Sequence, residues 1–374
     1  MSSEAANPHF GSARAAVSDP ELIVTNLHRN YTGVSTTIGV LLPLQADRHR
    51  LWLVGKPLPD FRSAHSLLAA LAASRRPPAG RPFRIWHVRR NVELQVAWLA
   101  RDLLRLPIRI VFTSVAQHVH SFWPRFLIAQ ADAVIATSKR AASLRPNVAG
   151  IVPHGVDTRF FRPPADRARE WAETRLPGRY GIGILGRVRR GKGTDLFVEA
   201  MLRLLPRFPD FTAVIVGPCK IRDRAFKAGL VARIEAAGLS SRIRFLGEVE
   251  WAEIPAWYRR LSIVVAAARY EPYGVTILEA MASGAAVVAT RTGNYEAMIE
   301  EDRNGFLAEP GDADSLTAAL EKVMSQPDRL PAMSAVSRQR ATALFPLEGE
   351  ADGISKVYET LWQGKDLRPA ASGP

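Results

Sequence analysis

The chain has a single cysteine, Cys219, among its 374 residues. One thiol cannot form an internal disulfide, and it excludes a zinc site built from several cysteines. The sequence also lacks the roughly 18 consecutive apolar residues that a membrane-spanning helix needs. Residues 1–20 lack the basic start and the apolar middle of a signal peptide. We therefore expect a cytoplasmic protein with a flexible tail over 1–20.

Acidic residues are scarce in the first half of the chain. Residues 1–160 contain 20 Lys and Arg against 9 Asp and Glu. Most of the chain's net charge of +14 therefore lies in this half. Nine arginines and two acids lie between Arg75 and Arg109. This charge predicts a surface attracted to the phosphates of lipid headgroups or of nucleic acid. A compositional preference for arginine is the alternative interpretation.

Short apolar runs alternate with helical stretches along the whole chain, which is typical of βαβ units and parallel sheets. A break at 161–176 predicts a linker between two domains, 21–160 and 174–345. The expected fold is α/β, with two doubly wound Rossmann-like domains facing a central cleft. The predicted strands are 22–25, 51–54, 84–88, 109–113, 133–137, 149–153, 181–185, 212–216, 243–246, 263–267, 286–289 and 305–307.

One predicted helix, after Arg90, carries an apolar stripe. Its apolar residues recur at steps of three and four, which places them on one helix face. They are Val92, Val96, Leu99, Leu103 and Leu106. We expect this face to pack on the sheet, and contact with a membrane is the alternative.

Two acidic residues stand eight positions apart in the string RYEPYGVTILE, which follows a predicted strand. At the helix start that follows, backbone N–H groups of Gly274, Val275 and Thr276 predict a seat for a phosphate. The flanking carboxylates suit hydroxyl groups, so Glu271 would hold a sugar and Glu279 a ribose. For Glu271 alone, an acid that complements the helix dipole is the alternative.

A loop rich in glycine and arginine, GRVRRGKG, follows the first strand of the second domain. Its Arg187 and Lys192 are placed to neutralise a diphosphate. Because negative charge builds on a leaving diphosphate, fixed cations stabilise the transition state and can replace a metal ion. We therefore expect no metal and no cofactor. A solvated basic loop is the alternative.

Two further motifs point to other chemistry. The string GIGILG at 181–186 matches the dinucleotide fingerprint, but its glycines lie within a strand and Asp210 precedes the next strand. This context disfavours a dehydrogenase. Asp312 and Asp314 have a spacing that could bind a metal, yet their position before SLTAAL predicts capping of a helix.

Three residues of the first domain follow strands and are candidates for the site. Gly33 would allow the backbone to approach a ligand closely at a helix start. His118 and His120 follow the strand predicted at 109–113, where they would reach the cleft. A polar role for these histidines and a structural one are both open.

Together these stretches resemble glycosyltransferase family 4, the retaining enzymes of the GT-B fold, over about residues 21–363. The resemblance rests on EPYGVTILEAMASG, on GRVRRGKG, on the linker VPHGVDTRFF and on GFL at 305–307. It implies that the last helix, about 346–365, returns to the first domain. The chain departs from the family where the single Gly33 replaces a glycine pair.

The resemblance also implies roles for individual residues. Arg187 and Lys192 would contact the donor diphosphate, Glu279 the ribose and Glu271 the sugar. Gly274, Val275 and Thr276 would bind phosphate through their amides. Either histidine would orient the sugar, and His120 is preferred over His118.

Within the family, NLHRNYTGVSTTI and TSVAQHVHSFW look like the lipopolysaccharide core mannosyltransferases. The resemblance implies that mannose passes from GDP-mannose to the Kdo and lipid A region, with retention of configuration by a front-face displacement. The first domain would bind an anionic lipid-linked acceptor and contact the anionic cytoplasmic face of the inner membrane. The alternatives are a glucosyl- or galactosyltransferase that uses a UDP-sugar, a nucleotide-sugar epimerase, and an inactive scaffold. A nucleic-acid partner is not expected, since no recognition helix or aromatic platform occurs.

Overall fold

The computed structural model describes residues 17–30, 32–59, 61–117 and 121–365, which form two compact units. The first unit runs to His154 and resumes at Leu347, and the second spans Gly155–Pro346. The division therefore falls earlier than the break expected at 161–176. No helix within these ranges combines the length and the apolar character needed to cross a membrane.

Parallel strands separated by helices make up both units. The strands are β1 (Leu22–Asn26), β2 (Leu51–Gly55), β3 (Ala64–His65), β4 (Arg84–Val88), β5 (Ile108–Ser114), β6 (Ala133–Ala136), β7 (Val148–Ile151), β8 (Tyr180–Leu185), β9 (Phe211–Val216), β10 (Ile243–Gly247), β11 (Leu261–Ala266), β12 (Ala286–Thr290) and β13 (Gly305–Ala308). The helices are α1 (Gly33–Ala46), α2 (Leu67–Ala73), α3 (Asn91–Trp98), α4 (Phe122–Ala129), α5 (Lys139–Ser143), α6 (Arg167–Ala172), α7 (Thr194–Leu204), α8 (Arg224–Ala236), α9 (Ile254–Arg260), α10 (Val275–Ala282), α11 (Tyr295–Met298), α12 (Ala313–Met324), α13 (Leu330–Leu344) and α14 (Leu347–Trp362). A π-helical turn, Leu99–Leu103, continues α3.

The first unit is a seven-stranded parallel sheet in the order β3-β2-β1-β4-β5-β6-β7. Because successive side chains of a strand point to opposite faces, Leu22 and Val24 of β1 enter one core and Ile23 enters the other. The first core also receives α1 and α14, whose Tyr358 is fully buried. The second core receives α3 and α4.

The second unit is a six-stranded parallel sheet in the order β10-β9-β8-β11-β12-β13. Helices cover both faces, with α7 and α12 in one core and α10 and α13 in the other. All twelve predicted strands are present, with ends that differ by two residues at most. The predicted class, α/β with two doubly wound Rossmann-like sheets, is confirmed.

The segment predicted as a linker, 161–176, is folded into the second unit. It contains α6, whose Trp171 is 2% exposed and packs in the core. A Cβ atom on Gly181 would lie 2.4 Å from the Trp171 ring, and a Cβ atom on Gly183 would lie 2.5 Å from Leu261. The first two glycines of GIGILG are therefore required for packing, which explains why they lie within β8.

The apolar stripe predicted after Arg90 packs on the sheet only in part. Val96 and Leu106 pack against the core, whereas Val92, Leu99 and Leu103 are exposed, so the prediction is wrong for these three residues. The buried face of the helix consists of Glu93, Leu94, Ala97 and Ala100, while Val92 and Leu103 are exposed. The sheet supplies large side chains to this core, including Trp86 and Phe112. Small alanines fit against such side chains at native packing density, while Leu99 and Leu103 face outward.

The arginines between Arg75 and Arg109 do not form one exposed basic surface. Arg84 is 1% exposed and donates to the Pro20 carbonyl, and Arg89 is also buried. Several others form ion pairs, namely Arg81 with Glu21 and Glu359, Arg90 with Glu93, and Arg101 and Arg109 with Asp132. Much of the positive charge of this unit is thus balanced internally.

We predict that Gly181→Ala destabilises the second unit by about 1–3 kcal/mol, because the added methyl group forces Trp171 from its place. The matched control is Gly229→Ala in α8, where a Cβ atom meets nothing within 4 Å. That change should raise stability by about 0.5–1 kcal/mol, since alanine favours a helix interior. Thermal unfolding of both variants measures the difference, and equal melting temperatures would contradict the assigned packing.

Candidate active site

The order of strands in the second unit reverses direction between β8 and β11, which are hydrogen-bonded neighbours. Open α/β sheets bind ligands outside the carboxyl ends of their strands at such a reversal. At that edge β8 leads into the loop GRVRRGKG, and β11 leads into the segment that contains Glu271. The topology therefore brings the cationic loop and the acidic motif together.

The loop is fixed against the end of β11 by close backbone contacts. Gly193 has a φ of 71°, and a Cβ atom there would lie 1.8 Å from the Ala267 carbonyl oxygen. The Arg269 N–H donates to the Gly191 carbonyl at 3.1 Å. Its guanidinium donates to both carboxylate oxygens of Asp195 at 2.8 and 2.9 Å. Arg269 thus holds the loop and the start of α7 in a defined position.

Lys192 and Glu271 form an ion pair, with 2.5 Å between Nζ and Oε2. The backbone of Glu271 is held as well, because its N–H donates to Thr292 Oγ1 at 3.1 Å. Arg187 is exposed, and the described part of the chain offers its side chain no ion-pair partner. The site therefore carries one cation paired with an acid and a second cation free to meet an anion.

Helix α10 begins at Val275, directly after a glycine that no other residue can replace. Gly274 has a φ of 104°, and a Cβ atom there would lie 2.0 Å from the ring of Tyr295. The N–H groups of Gly274, Val275 and Thr276 have no acceptor among the described residues. Free N–H groups at a helix start attract a phosphate, since the helix dipole adds to their partial charge.

Glu279 lies one turn further along α10, beside a second helix. The Tyr258 hydroxyl of α9 donates to its Oε2 at 2.7 Å. Burial of the carboxyl group raises the pKa of Glu279 to about 7, and the bond from Tyr258 opposes this rise because it stabilises the carboxylate. The same burial holds the pKa of Tyr258 well above its usual value.

A cavity of about 630 Å³ adjoins Glu279 within the second unit. Its walls combine the end of β9 with the segment before α9, and they include Pro218, Val249, Trp251, Ile254 and Tyr258. Thr276 lines both this cavity and a small pocket shared by Arg187, Lys192 and Glu271. The cavity has the size and the mainly apolar walls of a site for a nucleoside.

The structure thus brings together seven of the predicted site residues, namely Arg187, Lys192, Glu271, Gly274, Val275, Thr276 and Glu279. Gly33 begins α1 in the first unit, where a Cβ atom would meet nothing within 4 Å. His118 and His120 lie outside the described residues. The predicted capping role of Asp312 is confirmed, because its carboxylate accepts from the N–H groups of Asp314 and Ser315.

Sequence reasoning missed three residues that support this site. Arg269 anchors the cationic loop, Tyr258 bonds Glu279, and the buried Tyr295 packs under the glycine at the start of α10. Arg269 stands two residues before Glu271 and could have been found as a cation in the same motif. A tyrosine within a helix gives no comparable signal, because its partner is distant in sequence.

No group of three or more His, Cys, Asp or Glu residues in the described ranges is arranged to hold a metal ion. Arg187 and Lys192 line the small pocket that Thr276 also lines. That the reaction of this protein needs no metal ion stays a prediction.

The fold is that of a glycosyltransferase, and a family model described as "Glycosyl transferases group 1" matches residues 168–340. The chain is 41% identical over 346 residues to the lipopolysaccharide core biosynthesis mannosyltransferase LpcC of Rhizobium leguminosarum bv. viciae, covering 92% of this chain and 97% of that protein. It is 40% identical over 349 residues to the lipopolysaccharide core biosynthesis mannosyltransferase LpsB of Rhizobium meliloti. This match covers 92% of this chain and 99% of LpsB. The chain therefore belongs to the group 1 glycosyltransferase family.

Solved structures agree with this assignment. The C-terminal domain of a group 1 glycosyl transferase (LpcC) from Francisella tularensis is 39% identical to this chain, with a TM-score of 0.50. The match covers 52% of this chain and 100% of the solved domain. The Anabaena protein HepE in complex with UDP has a TM-score of 0.77 at 17% identity, over 91% of this chain and 99% of its own. The second likeness shows the fold alone.

We predict that the KM for the nucleotide-sugar donor rises as the pH falls below about 7, because a protonated Glu279 accepts hydroxyl hydrogen bonds poorly. Tyr258→Phe removes a bond that favours the carboxylate, so the pKa of Glu279 should rise and the loss of affinity should begin at a higher pH. Steady-state kinetics from about pH 6 to about pH 9 measures both profiles.

The control is Glu279→Gln, which removes the titrating group. Its donor KM should be high and nearly independent of pH over the same range. A Tyr258→Phe profile that coincides with the wild-type profile, or moves to lower pH, would show that Glu279 does not control donor binding.

Proposed function

We propose that this glycosyltransferase transfers mannose from GDP-mannose to the inner core of lipopolysaccharide, in the region of Kdo and lipid A. The observation that carries the proposal is the identity of 41% and 40% with two lipopolysaccharide core biosynthesis mannosyltransferases, each over 92% of this chain. In this proposal the second unit binds the donor and the first unit binds the acceptor.

The geometry of the second unit suits each part of such a donor. The nucleoside would enter the cavity beside Trp251, where Glu279 can accept bonds from the ribose hydroxyls. The diphosphate would lie at the start of α10, where it meets the free N–H groups of Val275 and Thr276. The sugar would then reach Glu271, which lines the adjoining pocket.

The ion pair between Lys192 and Glu271 supports a specific role for both residues. A diphosphate carries more charge than a carboxylate, so it would draw the Lys192 ammonium toward itself and free Glu271 to accept hydroxyl groups of the sugar. As the glycosidic bond breaks, negative charge grows on the diphosphate. Lys192 and Arg187 would stabilise that charge in place of a metal ion.

The resemblance to retaining enzymes supports a front-face displacement with retention of configuration as part of this proposal. The leaving diphosphate would take the proton of the incoming acceptor hydroxyl while both remain on one face of the sugar. His120, or else His118, would orient the sugar from the first unit.

The acceptor would be an anionic lipid-linked glycan, and the enzyme would act at the cytoplasmic face of the inner membrane. Peripheral contact with that membrane is part of the proposal. Arg75, Arg76 and Arg105 are exposed and have no ion pair among the described residues, so they would attract anionic lipid.

We predict that Lys192→Ala and Glu271→Ala each lower kcat by about 10²–10³-fold, because each removes a group that acts on the charged donor. The matched control is Arg190→Ala, which removes a neighbouring cation of the same loop whose side chain is 75% exposed. Its kcat should stay near that of the wild type. Thermal unfolding checks that all three variants fold, and near-normal turnover of the first two would refute the assigned roles.

We also predict the outcome of a donor screen with GDP-mannose, UDP-glucose and UDP-galactose, each with and without core acceptor. Transfer should occur from GDP-mannose, only with acceptor, and should persist in excess EDTA because Arg187 and Lys192 supply the positive charge. Transfer from a UDP-sugar alone would instead favour a glucosyl- or galactosyltransferase. An altered donor sugar without acceptor would indicate an epimerase.

A further inference from the structure

Large apolar side chains stand exposed on two adjacent helices of the first unit. Phe122 is 80% exposed, Leu103 71% and Val92 65%, which is unusual for residues of this size. Leu99, Leu104 and Trp123 are exposed as well. We call these six residues, Val92, Leu99, Leu103, Leu104, Phe122 and Trp123, the α3–α4 surface.

The two helices hold this surface together through aromatic contacts. The ring of Trp98 on α3 lies 6.2 Å from the ring of Trp123 and 6.0 Å from that of Phe126, both on α4. Val92, Leu99 and Leu103 lie along one stripe of α3 and its π-helical turn, opposite the buried alanines. The apolar residues therefore form one patch, and a contiguous patch of this kind marks an interaction site.

We propose that the α3–α4 surface inserts into the interfacial region of an anionic lipid bilayer and so brings the acceptor domain to its lipid-linked substrate. This inference rests on the proposed function for the identity of the substrate. An interfacial helix needs leucine, phenylalanine and tryptophan on one side, and the α3–α4 surface has all three. Tryptophan in particular prefers the boundary between headgroups and acyl chains.

The charges around the patch select an anionic bilayer. Arg105 lies two residues after the end of the π-helical turn, and Arg125 lies one turn after Phe122 on α4. Both are exposed, and neither has an ion-pair partner in the part of the chain that the structure describes. The acids of the same helices are engaged, since Glu93 pairs with Arg90 and Asp102 pairs with Arg101.

A groove of about 440 Å³ extends the apolar surface beside α4. Phe122, Phe126, Ile128, Leu144 and Pro146 line it, with Arg125 and Arg145 among them. Apolar walls with arginines between them match an acyl chain below an anionic headgroup. The groove therefore adds to the case for a lipid rather than for a polar protein partner.

The test is co-sedimentation with vesicles of phosphatidylglycerol and phosphatidylcholine, compared with vesicles of phosphatidylcholine alone. The wild type should bind the anionic vesicles more strongly. Leu103→Asp combined with Phe122→Asp should weaken this binding by at least about tenfold, because two carboxylates replace the apolar contacts. Arg105→Gln with Arg125→Gln should weaken binding to the anionic vesicles alone.

Leu344→Asp is the matched control, since Leu344 is a 52% exposed leucine of the second unit. It should bind vesicles as the wild type does. Circular dichroism and thermal unfolding check that each variant is folded. Unchanged sedimentation of the double aspartate variant would overturn the proposal. A dimeric wild type and a monomeric double aspartate variant would overturn it as well, because the patch would then bind a second copy of the chain.

Transfer assays separate this inference from the proposed function. The double aspartate variant should lose about tenfold in rate on acceptor embedded in vesicles and should keep the wild-type rate on a deacylated, water-soluble acceptor. A wild type that glycosylates neither acceptor contradicts the proposed function, while sedimentation still decides the docking surface. Equal losses of transfer rate on the embedded and the deacylated acceptor would overturn the docking inference, because the two residues would then affect catalysis itself.

Discussion

The close approach of two backbone segments at the carboxyl ends of β8 and β11 is the constraint on which the site depends. Only glycine fits at 193, where the Ala267 carbonyl fills the place of a side chain, and only glycine fits at 274 over the ring of Tyr295. These contacts fix the cationic loop and the start of α10. Lys192 meets Glu271 because these backbone contacts hold the two segments side by side.

The two acids of the motif have different environments and so suit different tasks. Glu271 faces the ammonium group of Lys192, with which it forms an ion pair. Glu279 is enclosed by protein, with the Tyr258 hydroxyl as a neutral partner, and burial raises its pKa to about 7. Such a carboxyl group remains sensitive to its hydrogen-bond donors. Hydroxyl groups of a ligand would stabilise the carboxylate further, so binding and ionisation of Glu279 are coupled.

The sequence predicts the strands and most of the site because both depend on local patterns. Apolar runs of strand length identify the sheets, and EPYGVTILE places its acids and glycine at fixed distances along the chain. The predictions that are wrong depend on contacts between residues that are distant in sequence. Periodicity reveals the apolar stripe of α3 but not the side that meets the sheet, where Leu94 and two alanines pack with the large side chains of Trp86 and Phe112. The prolines near 163 suggest a linker, while Gly181 accommodates Trp171 and makes that segment part of a core.

Net charge misleads for the same reason, because a sequence does not reveal which charges are paired. The first half of the chain owes its strong positive charge to arginines, yet Arg81, Arg101 and Arg109 face carboxylates and Arg84 is buried. Paired charges contribute little to a long-range field, which salt weakens further. An attraction to an anionic surface must therefore come from the few unpaired arginines, and these give orientation rather than strong binding. The exposed apolar residues on α3 and α4 would supply the binding strength that the unpaired arginines lack, since the free energy of burying apolar area is not screened by salt.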